Sequence, residues 1–277
     1  MEAALTWLSS RVTHRGACDA FALSGVLTFP VLFFVSAPYG KLHRAGWGPA
    51  LHGRRGWFIQ EIVSPICLLA AFYATQAAQS PDGALDLHPA PVHVFLLLWC
   101  VHYAHRAVLY PLQRAMGATT LPVVAAAVAF NLVNGVLVGV ELARLSAAPA
   151  WGAWAALAAP RVVAGIALML LGAYVNLRAD ATLRALRAGG PRGARTYAIP
   201  RGGPFGLFDR CACPHYLGEM VEWAGFALAT ATRSGAVFAF WTFANLAPRA
   251  LATRNWYVAK FKPDYPASRK ALIPYIF

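Results

Sequence analysis

The sequence predicts an all-α membrane protein in which seven transmembrane helices form one bundle. Composition is the first reason, because 58% of the 277 residues are hydrophobic and only 13% are charged. A soluble domain has about 25% charged residues. The second reason is that seven segments approach the roughly 20 apolar residues that a helix needs to cross the hydrocarbon. This composition disfavours a soluble enzyme and a disordered protein.

The seven segments follow one another along the whole chain. They lie near residues 19–37, 57–78, 90–112, 119–143, 151–177, 215–232 and 235–252. No short apolar run with a cleavage site precedes the first segment, so we expect no removable signal peptide. The sequence also has no P-loop and no glycine-rich fingerprint of a separate nucleotide-binding domain. We therefore predict a single domain over residues 1–277.

The positive charges predict the orientation of the chain. There are 24 Lys and Arg residues against 11 Asp and Glu, a net charge of +13. If the N-terminus lies outside, 18 of the 24 fall in cytoplasmic segments, mainly 178–214 and 253–277. Because cytoplasmic loops are rich in Lys and Arg, we predict an outside N-terminus and a cytosolic C-terminus. In a membrane protein this charge suits lipid headgroups or a phosphate-bearing ligand, and we expect no nucleic acid partner.

Polar residues inside the predicted spans form three clusters. An ionisable side chain at membrane depth costs about 3 kcal/mol or more, so each is a functional-site hypothesis. The clusters are Trp57-Phe-Ile-Gln60-Glu61, His102-Tyr103-Ala-His105-Arg106, and His215-Tyr-Leu-Gly-Glu219-Met-Val-Glu222-Trp223. Any one residue could instead form a buried ion pair, such as Glu61 with Arg106. Three clusters at one membrane level favour a shared polar cavity.

A polar stripe extends from the fifth predicted span into the long cytosolic loop. Asn176, Asp180, Arg184 and Arg187 recur at helical spacing and share one helix face. This stripe fits either a solvated helix end or a site for a polar ligand whose phosphates meet guanidinium groups. The turn-forming segment 197–206 follows and allows close approach of its backbone.

Two groups of metal-ligating residue types lack the spacing of a metal site. One pair is His102 and His105, and the other is Cys211 and Cys213, near His215. Zinc sites usually combine two cysteines separated by two to four residues with a matching distant pair. We therefore predict no metal site, and the five cysteines predict no disulfide framework.

Several long motifs resemble those of the steroid 5α-reductase family. The C-terminal ones are Pro200-Arg-Gly-Gly-Pro-Phe205, His215 to Thr230, and Asp264-Tyr-Pro-Ala-Ser-Arg269-Lys-Ala-Leu-Ile-Pro-Tyr-Ile-Phe277. The Trp57–Glu61 and His102–Arg106 clusters match the family's N-terminal motifs, and the resemblance extends from about residue 39 to the end. It implies a seven-helix membrane enzyme that uses NADPH to reduce the Δ4 double bond of 3-oxo steroids.

The resemblance also implies roles for individual residues. Glu61 and Tyr103 would contact the C3 carbonyl as the catalytic pair. The cofactor site, mostly in the C-terminal half (about 151–277), would comprise Arg106, Arg114, Asn176, Asp180, Arg187, Tyr197, His215, Glu219, Trp223, Arg249 and Tyr257. The steroid would lie against Trp57, Gln60, Tyr110 and Phe130.

Four positions depart from the family's pattern. His215 replaces an asparagine of some animal members, and Ala198 replaces a frequent arginine. Ala126 lies where a basic residue is usual, and Arg114 is one place out of register. These departures concern cofactor affinity and steroid preference more than the reaction.

The reaction implied by the resemblance needs hydrogen-bond donors at the C3 oxygen. Hydride addition to the conjugated double bond develops negative charge on that oxygen, so a donor there stabilises the transition state more than the ground state. Tyr103 can donate directly, whereas Glu61 can donate only if it is protonated or can instead orient Tyr103. His102 and His105 are candidate proton relays. The steroid would enter from the bilayer and NADPH from the cytosol.

Three other classes of function remain open at this point. They are a related membrane reductase acting on enones, polyprenols or acyl-CoA, a membrane methyltransferase using S-adenosylmethionine, and a transporter or receptor with a polar core. The Glu61–Tyr103 pair favours a ketone acceptor, and the lack of inverted repeats disfavours a transporter. The expected location is the endoplasmic reticulum membrane of a eukaryote or the inner membrane of a bacterium. The sequence does not determine the oligomeric state, and it is compatible with a monomer.

Overall fold

A computed structural model describes residues 13–35, 46–114, 116–188 and 197–277, and nearly all of its regular structure is helical. The α-helices of these residues are α1 (His14–Phe34), α2 (Gly53–Gln79), α3 (His93–Tyr103), α4 (Tyr110–Leu112), α5 (Leu121–Ser146), α6 (Pro160–Ala188), α7 (Pro214–Thr230) and α8 (Arg233–Phe261). Strand β1 (Ala50–Leu51) pairs antiparallel with β2 (Thr119–Thr120). The predicted all-α class is confirmed.

Four of the described helices are long and apolar enough to cross a membrane, namely α1, α2, α5 and α6. Among the others, α3 and α7 have 11 and 17 residues. Helix α8 is long, with 29 residues, but it carries basic side chains along its length, including Arg249 and Lys260. The chain is thus a helical membrane protein, while seven spans and the orientation stay predictions.

A π-helix interrupts the third predicted span. It covers Ala104–Leu109, between α3 and α4, and the N–H of Tyr110 donates to the carbonyl of His105, five residues back. Pro111 has no N–H for the α-helical bond to the carbonyl of Ala107, which favours a wider turn here. The prediction of one continuous α-helix over 90–112 was therefore wrong. Such turns occur frequently at functional sites.

The predicted start of the fifth span, near residue 151, was also wrong. Residues Pro149–Trp151 and Trp154–Ala158 form two short 3-10 helices, and α6 begins only at Pro160. Proline suits the first helical position because its fixed φ is helical and its missing N–H would have no partner there.

The first compact unit of the chain comprises the described residues of 1–24, 37–163 and 230–238. In this unit α2 and α5 pack closely through glycines. A methyl group added at Gly139 would lie 2.4 Å from the carbonyl oxygen of Leu68, and one at Gly135 would lie 2.8 Å from that of Ser64. Small residues let helix backbones approach in membranes. This contact brings the amide of Asn131, one turn before Gly135, to the backbone of α2.

The second compact unit comprises the described residues of 25–36, 164–229 and 239–277. Here α6 and α7 are in direct backbone contact. A methyl group at Gly172 would lie 2.2 Å from the nitrogen of Glu222, and one at Gly218 would lie 2.5 Å from that of Asn176. Gly165 and Gly225 extend the same contact, with equally short distances to the facing backbone. The polar side chains of the two helices are therefore held side by side.

The segment after α8 folds back within the second unit. Lys270 pairs with residues before α7: its N–H donates to the carbonyl of Arg210 and its own carbonyl accepts from Ala212. Ala271 and Leu272 are buried against Cys213 and the small residues of α8. The tail is thus part of the core of this unit, which accounts for its apolar sequence.

Candidate active site

The carboxylate of Glu61 lies buried in the first unit. It contacts one side chain from α2 and one from the π-helix. Its Oε1 accepts a hydrogen bond from Nε2 of Gln60 at 3.1 Å. Its Oε2 lies 3.8 Å from Nε of Arg106. Opposite charges at this distance attract more strongly at a buried site than in water. The ion pair that the sequence suggested for these residues is present.

Arg106 packs against two aromatic rings. Its guanidinium carbon lies 4.9 Å from the ring centroid of Trp57 and 5.7 Å from that of Tyr110, and these two rings stack 5.2 Å apart. The indole N–H of Trp57 donates to the backbone carbonyl of Arg106 at 2.9 Å. The guanidinium carbon of a second arginine, Arg114, lies 4.1 Å from the ring centroid of Tyr110. Cation–π contacts of this kind contribute about 0.5–2 kcal/mol each and fix the arginine in place.

Tyr103 is buried at the end of α3, and its hydroxyl points to an amide of α5. The hydroxyl donates to Oδ1 of Asn131 at 3.5 Å, the upper limit of a hydrogen bond. The amide group of Asn131 in turn donates to the backbone carbonyl of Gln60 at 2.7 Å. On its other side Tyr103 stacks on Trp99 at 5.5 Å, and Trp99 donates to Ser64 at 3.2 Å. Asn131 therefore links the tyrosine hydroxyl to the backbone beside Glu61.

Asn131 is a residue that the sequence prediction missed. It is 5% exposed, and Asn134 on the same helix is 1% exposed. The available signal was two amides in an otherwise apolar helix, because polar residues at membrane depth are rare and usually functional. The prediction relied on ionisable and aromatic residues and passed over these uncharged ones.

Phe130, predicted to line the steroid, lies half-buried in an aromatic group of the first unit. Its ring centroid is 5.4 Å from that of Phe21 and 6.4 Å from that of Phe238. Tilted pairs at these distances are favourable packing contacts. The steroid-binding role of Phe130 stays a prediction, and so do those of Trp57 and Tyr110.

In the second unit, the contact between α6 and α7 brings predicted cofactor residues together. Nδ2 of Asn176 donates to the carbonyl of His215 at 2.9 Å and lies 3.4 Å from Oε2 of Glu219. Asn176 and Glu219 are each 7% exposed, and Asp180, one turn further along α6, is 3% exposed. Trp223, one turn after Glu219, is 1% exposed. Asn176, Glu219 and the backbone of His215 therefore form one buried polar group.

A second group of predicted cofactor residues combines cations with aromatic rings. The guanidinium of Arg187 lies 5.4 Å from the ring of Tyr197, and that ring lies 4.8 Å from the ring of Trp256. The ammonium of Lys260 is 5.9 Å from Tyr197 and 5.6 Å from Trp256. The ends of α6 and α8 and the start of segment 197–213 thus meet in a basic, aromatic surface. Trp256 and Lys260 were not among the predicted site residues.

The remaining predicted cofactor residues lie on α8. Nε of Arg249 donates to the hydroxyl of Tyr216 at 3.1 Å. Tyr257 is 4% exposed and stacks on Tyr265 with ring centroids 5.7 Å apart. Burial raises the pKa of the Tyr257 hydroxyl well above its usual range, so this group remains a neutral donor at physiological pH.

Arg184, on the polar stripe of α6, has a buried nitrogen in need of an acceptor. Its Nη1 has no hydrogen-bond partner among the residues that the structure describes. A buried donor without an acceptor costs about 1–3 kcal/mol, and a phosphate oxygen is a suitable acceptor for a guanidinium. Arg187 and Arg249 belong to the same unit. The guanidinium groups of these three arginines are donors of the kind that an anionic dinucleotide requires.

Comparison with known proteins identifies the family of this chain. A family model described as 3-oxo-5-alpha-steroid 4-dehydrogenase matches residues 118–277, which is more than half of the chain. The chain belongs to this family. A steroid 5-alpha-reductase DET2 of Gossypium hirsutum is 40% identical over 262 residues, covering 90% of this chain and 92% of the relative.

Further relatives agree with the assignment to the 3-oxo-5-alpha-steroid 4-dehydrogenase family. The steroid 5-alpha-reductase DET2 of Arabidopsis thaliana is 36% identical over 277 residues, which is 98% of this chain and 99% of the relative. The 3-oxo-5-alpha-steroid 4-dehydrogenase 1 of Bos taurus is 36% identical over 255 residues, covering 91% and 92% of the two chains. The resemblance inferred from the motifs is therefore confirmed over nearly the full chain.

Proposed function

We propose that this chain reduces the Δ4 double bond of 3-oxo-Δ4 steroids, with a hydride from NADPH, to 5α-reduced 3-oxo steroids. The observation that carries this proposal is the buried Tyr103 hydroxyl, which Asn131 connects to the backbone beside the Glu61–Arg106 pair. Membership of the 3-oxo-5-alpha-steroid 4-dehydrogenase family supports the reaction class.

The role of Tyr103 follows from where charge develops. Hydride addition at C5 moves electron density onto the C3 oxygen, and a donor fixed at that oxygen is worth about a hundredfold to a thousandfold in rate. The long 3.5 Å bond to Asn131 is weak, so the Tyr103 hydroxyl can exchange this acceptor for the steroid oxygen at little cost. Stacking on Trp99 keeps the phenol ring in place during the exchange.

Glu61 acts in this proposal as a positioning group at the C3 end of the steroid, because a carboxylate paired with Arg106 cannot donate a hydrogen bond to the C3 oxygen. Its contacts with Gln60 and Arg106 fix the direction of the carboxyl group. His102 packs edge-on against Tyr103, with ring centroids 5.1 Å apart, and is with His105 a candidate for delivering a proton at C4. Preorganised groups of this kind need no reorganisation at the moment of reaction.

NADPH, when bound, supplies the hydride. We propose that Asn176, Asp180 and Glu219 hold its polar groups and that Arg184 and Arg187 bind its phosphates. Tyr197, on the basic, aromatic surface described above, offers a ring for stacking. The remaining predicted cofactor residues are Arg106, Arg114, His215, Trp223, Arg249 and Tyr257, as the family resemblance implies.

The membrane arrangement is part of the same proposal. Seven spans of a single domain would place the N-terminus outside and segments 178–214 and 253–277 in the cytosol, where the dinucleotide is available. The steroid would reach its site from the bilayer, because an apolar four-ring molecule partitions into lipid. The endoplasmic reticulum of a eukaryote and the inner membrane of a bacterium are the corresponding locations.

The decisive test is NADPH oxidation by the purified protein with progesterone or testosterone, with product mass and C5 configuration as the readouts. Tyr103→Phe should lower kcat by about a hundredfold or more, on the scale of a lost oxyanion donor, with little change in the KM for NADPH. Glu61→Gln should lower kcat by a similar factor, because it removes the charge that pairs with Arg106. Tyr73→Phe, on the same unit but outside the site, is the matched control. Near-wild-type turnover in both site variants would refute the assignment. If the protein reduces polyprenols or enoyl thioesters instead of steroids, its substrate class is that of the related membrane reductases.

A further inference from the structure

Three metal-ligating side chains converge in the first unit, and none of them is a candidate site residue. His14 and Cys18 lie one turn apart at the start of α1, and Glu141 lies near the end of α5. Their ligand atoms are all within 4.8 Å of one another, and Cys18 Sγ is 3.9 Å from Nδ1 of His14. Ligands on a tetrahedral zinc ion are separated by about 3.5 Å, given its bond lengths. Small side-chain rotations would therefore complete the geometry.

The groups around these side chains are those that metal ligands require. Nε2 of His14 lies 3.0 Å from the carbonyl oxygen of Leu137, so the tautomer that carries its proton on Nε2 can donate there and leave Nδ1 for a metal. The carboxylate of Glu141 accepts hydrogen bonds from the N–H groups of Arg233, at 3.0 Å, and Ser234, at 2.6 Å. Metal-binding histidines typically donate their other N–H to a carbonyl, and ligating carboxylates are themselves hydrogen-bonded.

We propose that His14, Cys18 and Glu141 bind a zinc ion. Imidazole, thiolate and carboxylate are the ligand types that zinc accepts, and a water molecule can take the fourth position. One thiolate and one carboxylate neutralise the dication, which suits a site whose cysteine is 0% exposed. The positive side chain of Arg233, whose backbone N–H contacts Glu141, is already paired with Asp19, its Nε donating to Oδ1 at 2.6 Å.

The site would anchor the N-terminal turn of α1 to α5. Only 11% of the residues in the apolar part of α1 are buried, so side-chain packing holds this helix weakly. This site could not be predicted from the sequence, because His14 and Glu141 are far apart along the chain and come together only in the fold. The expectation that the chain holds no metal rested on other histidines and cysteines.

Zinc content of the purified protein tests the proposal without reference to catalysis. The protein is prepared without chelators, dialysed against buffered micromolar zinc, and analysed by inductively coupled plasma mass spectrometry. Wild type should hold one zinc ion per chain, and Cys18→Ser and His14→Gln should each lose it. The matched control Cys67→Ser should retain it. The glutamine at position 14 keeps an N–H for the Leu137 carbonyl, so the loss would report the ligand and not the hydrogen bond.

Cobalt substitution gives a second readout that does not depend on variants. Binding of Co²⁺ by Cys18 should produce a thiolate-to-cobalt charge-transfer band in wild type and in Cys67→Ser. Zinc-free wild type after dialysis, equal zinc content in Cys18→Ser and Cys67→Ser, or cobalt binding without the charge-transfer band would each overturn the proposal. If the His14 and Cys18 variants lose helical circular dichroism, the wild-type cobalt spectrum decides.

Discussion

Replacing Gly218 with alanine should separate α6 from α7 and weaken the buried polar group of the second unit. The added methyl would lie 2.5 Å from the nitrogen of Asn176, 2.7 Å from the carbonyl oxygen of Gly172 and 3.0 Å from Cα of Asn176. All three contacts are with backbone, which cannot rotate away as a flexible side chain can. The helices themselves must therefore move.

The size of the effect follows from these distances. An ordinary contact between heavy atoms is about 3.5 Å, so the backbones must separate by about 1 Å. The bond from Asn176 to the carbonyl of His215, now 2.9 Å, would then lengthen to about 3.9 Å and be lost. Overpacking costs about 1–3 kcal/mol and the lost hydrogen bond about 1 kcal/mol. Alanine regains up to about 1 kcal/mol of helix propensity, which leaves a net loss of about 1–3 kcal/mol.

Thermal unfolding in detergent and the KM for NADPH measure this effect. A loss of about 2 kcal/mol should lower the Tm by about 4–8 °C, and the KM for NADPH should rise while that for the steroid changes little. Gly152→Ala is the control, because its methyl would meet only the carbonyl of Pro149 at an ordinary 3.4 Å. An unchanged Tm and an unchanged NADPH affinity in Gly218→Ala would refute the claim that this contact positions the cofactor residues.

Four further predictions concern the substrate, the cofactor, a buried thiol and the topology. Phe130→Ala should raise the KM for Δ4-3-oxo steroids and leave that for NADPH nearly unchanged, as measured by initial rates. Arg187→Ala should raise the KM for NADPH about tenfold or more, the scale of one charged hydrogen bond. Burial raises the pKa of the Cys211 thiol to about 11, so it should resist iodoacetamide at pH 8 in the folded protein, as read by mass spectrometry. The stabilisation from keeping it neutral is complete below the usual thiol pKa and is lost as the pH rises through 11. Cysteines placed at Asp82 and Asp264 should be labelled from opposite sides of the membrane.

Each of these predictions has an outcome that contradicts it, and the arginine variant also has a matched control. A uniform loss of folded protein in Phe130→Ala would assign that ring to packing with Phe21 and Phe238. Arg178→Ala, an exposed arginine on the same helix, should leave the NADPH KM unchanged, and an equal effect there would point to general charge. Rapid alkylation of native Cys211 would contradict the prediction for the buried thiol. Labelling of the cysteines at positions 82 and 264 from the same side would contradict the predicted topology.

Much of the fold follows from apolar segment length, which the sequence displays directly. The segment predicted at 57–78 is the helix Gly53–Gln79, and the one at 119–143 is Leu121–Ser146. Prediction failed where backbone hydrogen bonding changes within an apolar run. The π-helix at Ala104–Leu109 has the same composition as an α-helix, so the pattern of side chains alone could not reveal it.

The sequence predicted which residues belong to the candidate site, but it predicted few of the contacts between them. A carboxylate and an arginine inside spans pointed to each other, and the structure places Glu61 and Arg106 3.8 Å apart. The hydrogen bond from Asn176 to the backbone of His215 could not be foreseen, because it depends on glycines that let two helices touch. Asn131 was missed for a related reason, since its importance comes from its neighbours across α2 and α3.

The π-helix makes one specific change of chain length tolerable at this point. It contains one residue more than an α-helix would need for the same number of turns. Removing a single residue inside it, such as Val108, would restore regular α-helical winding and leave Tyr110 and Arg114 facing nearly the same direction as before. The contacts of Tyr110 with Trp57 and of Arg114 with Tyr110 would then be retained. In an uninterrupted α-helix such as α5, the same removal would rotate everything downstream by about 100°. A one-residue deletion should therefore be less damaging within Ala104–Leu109 than within α5.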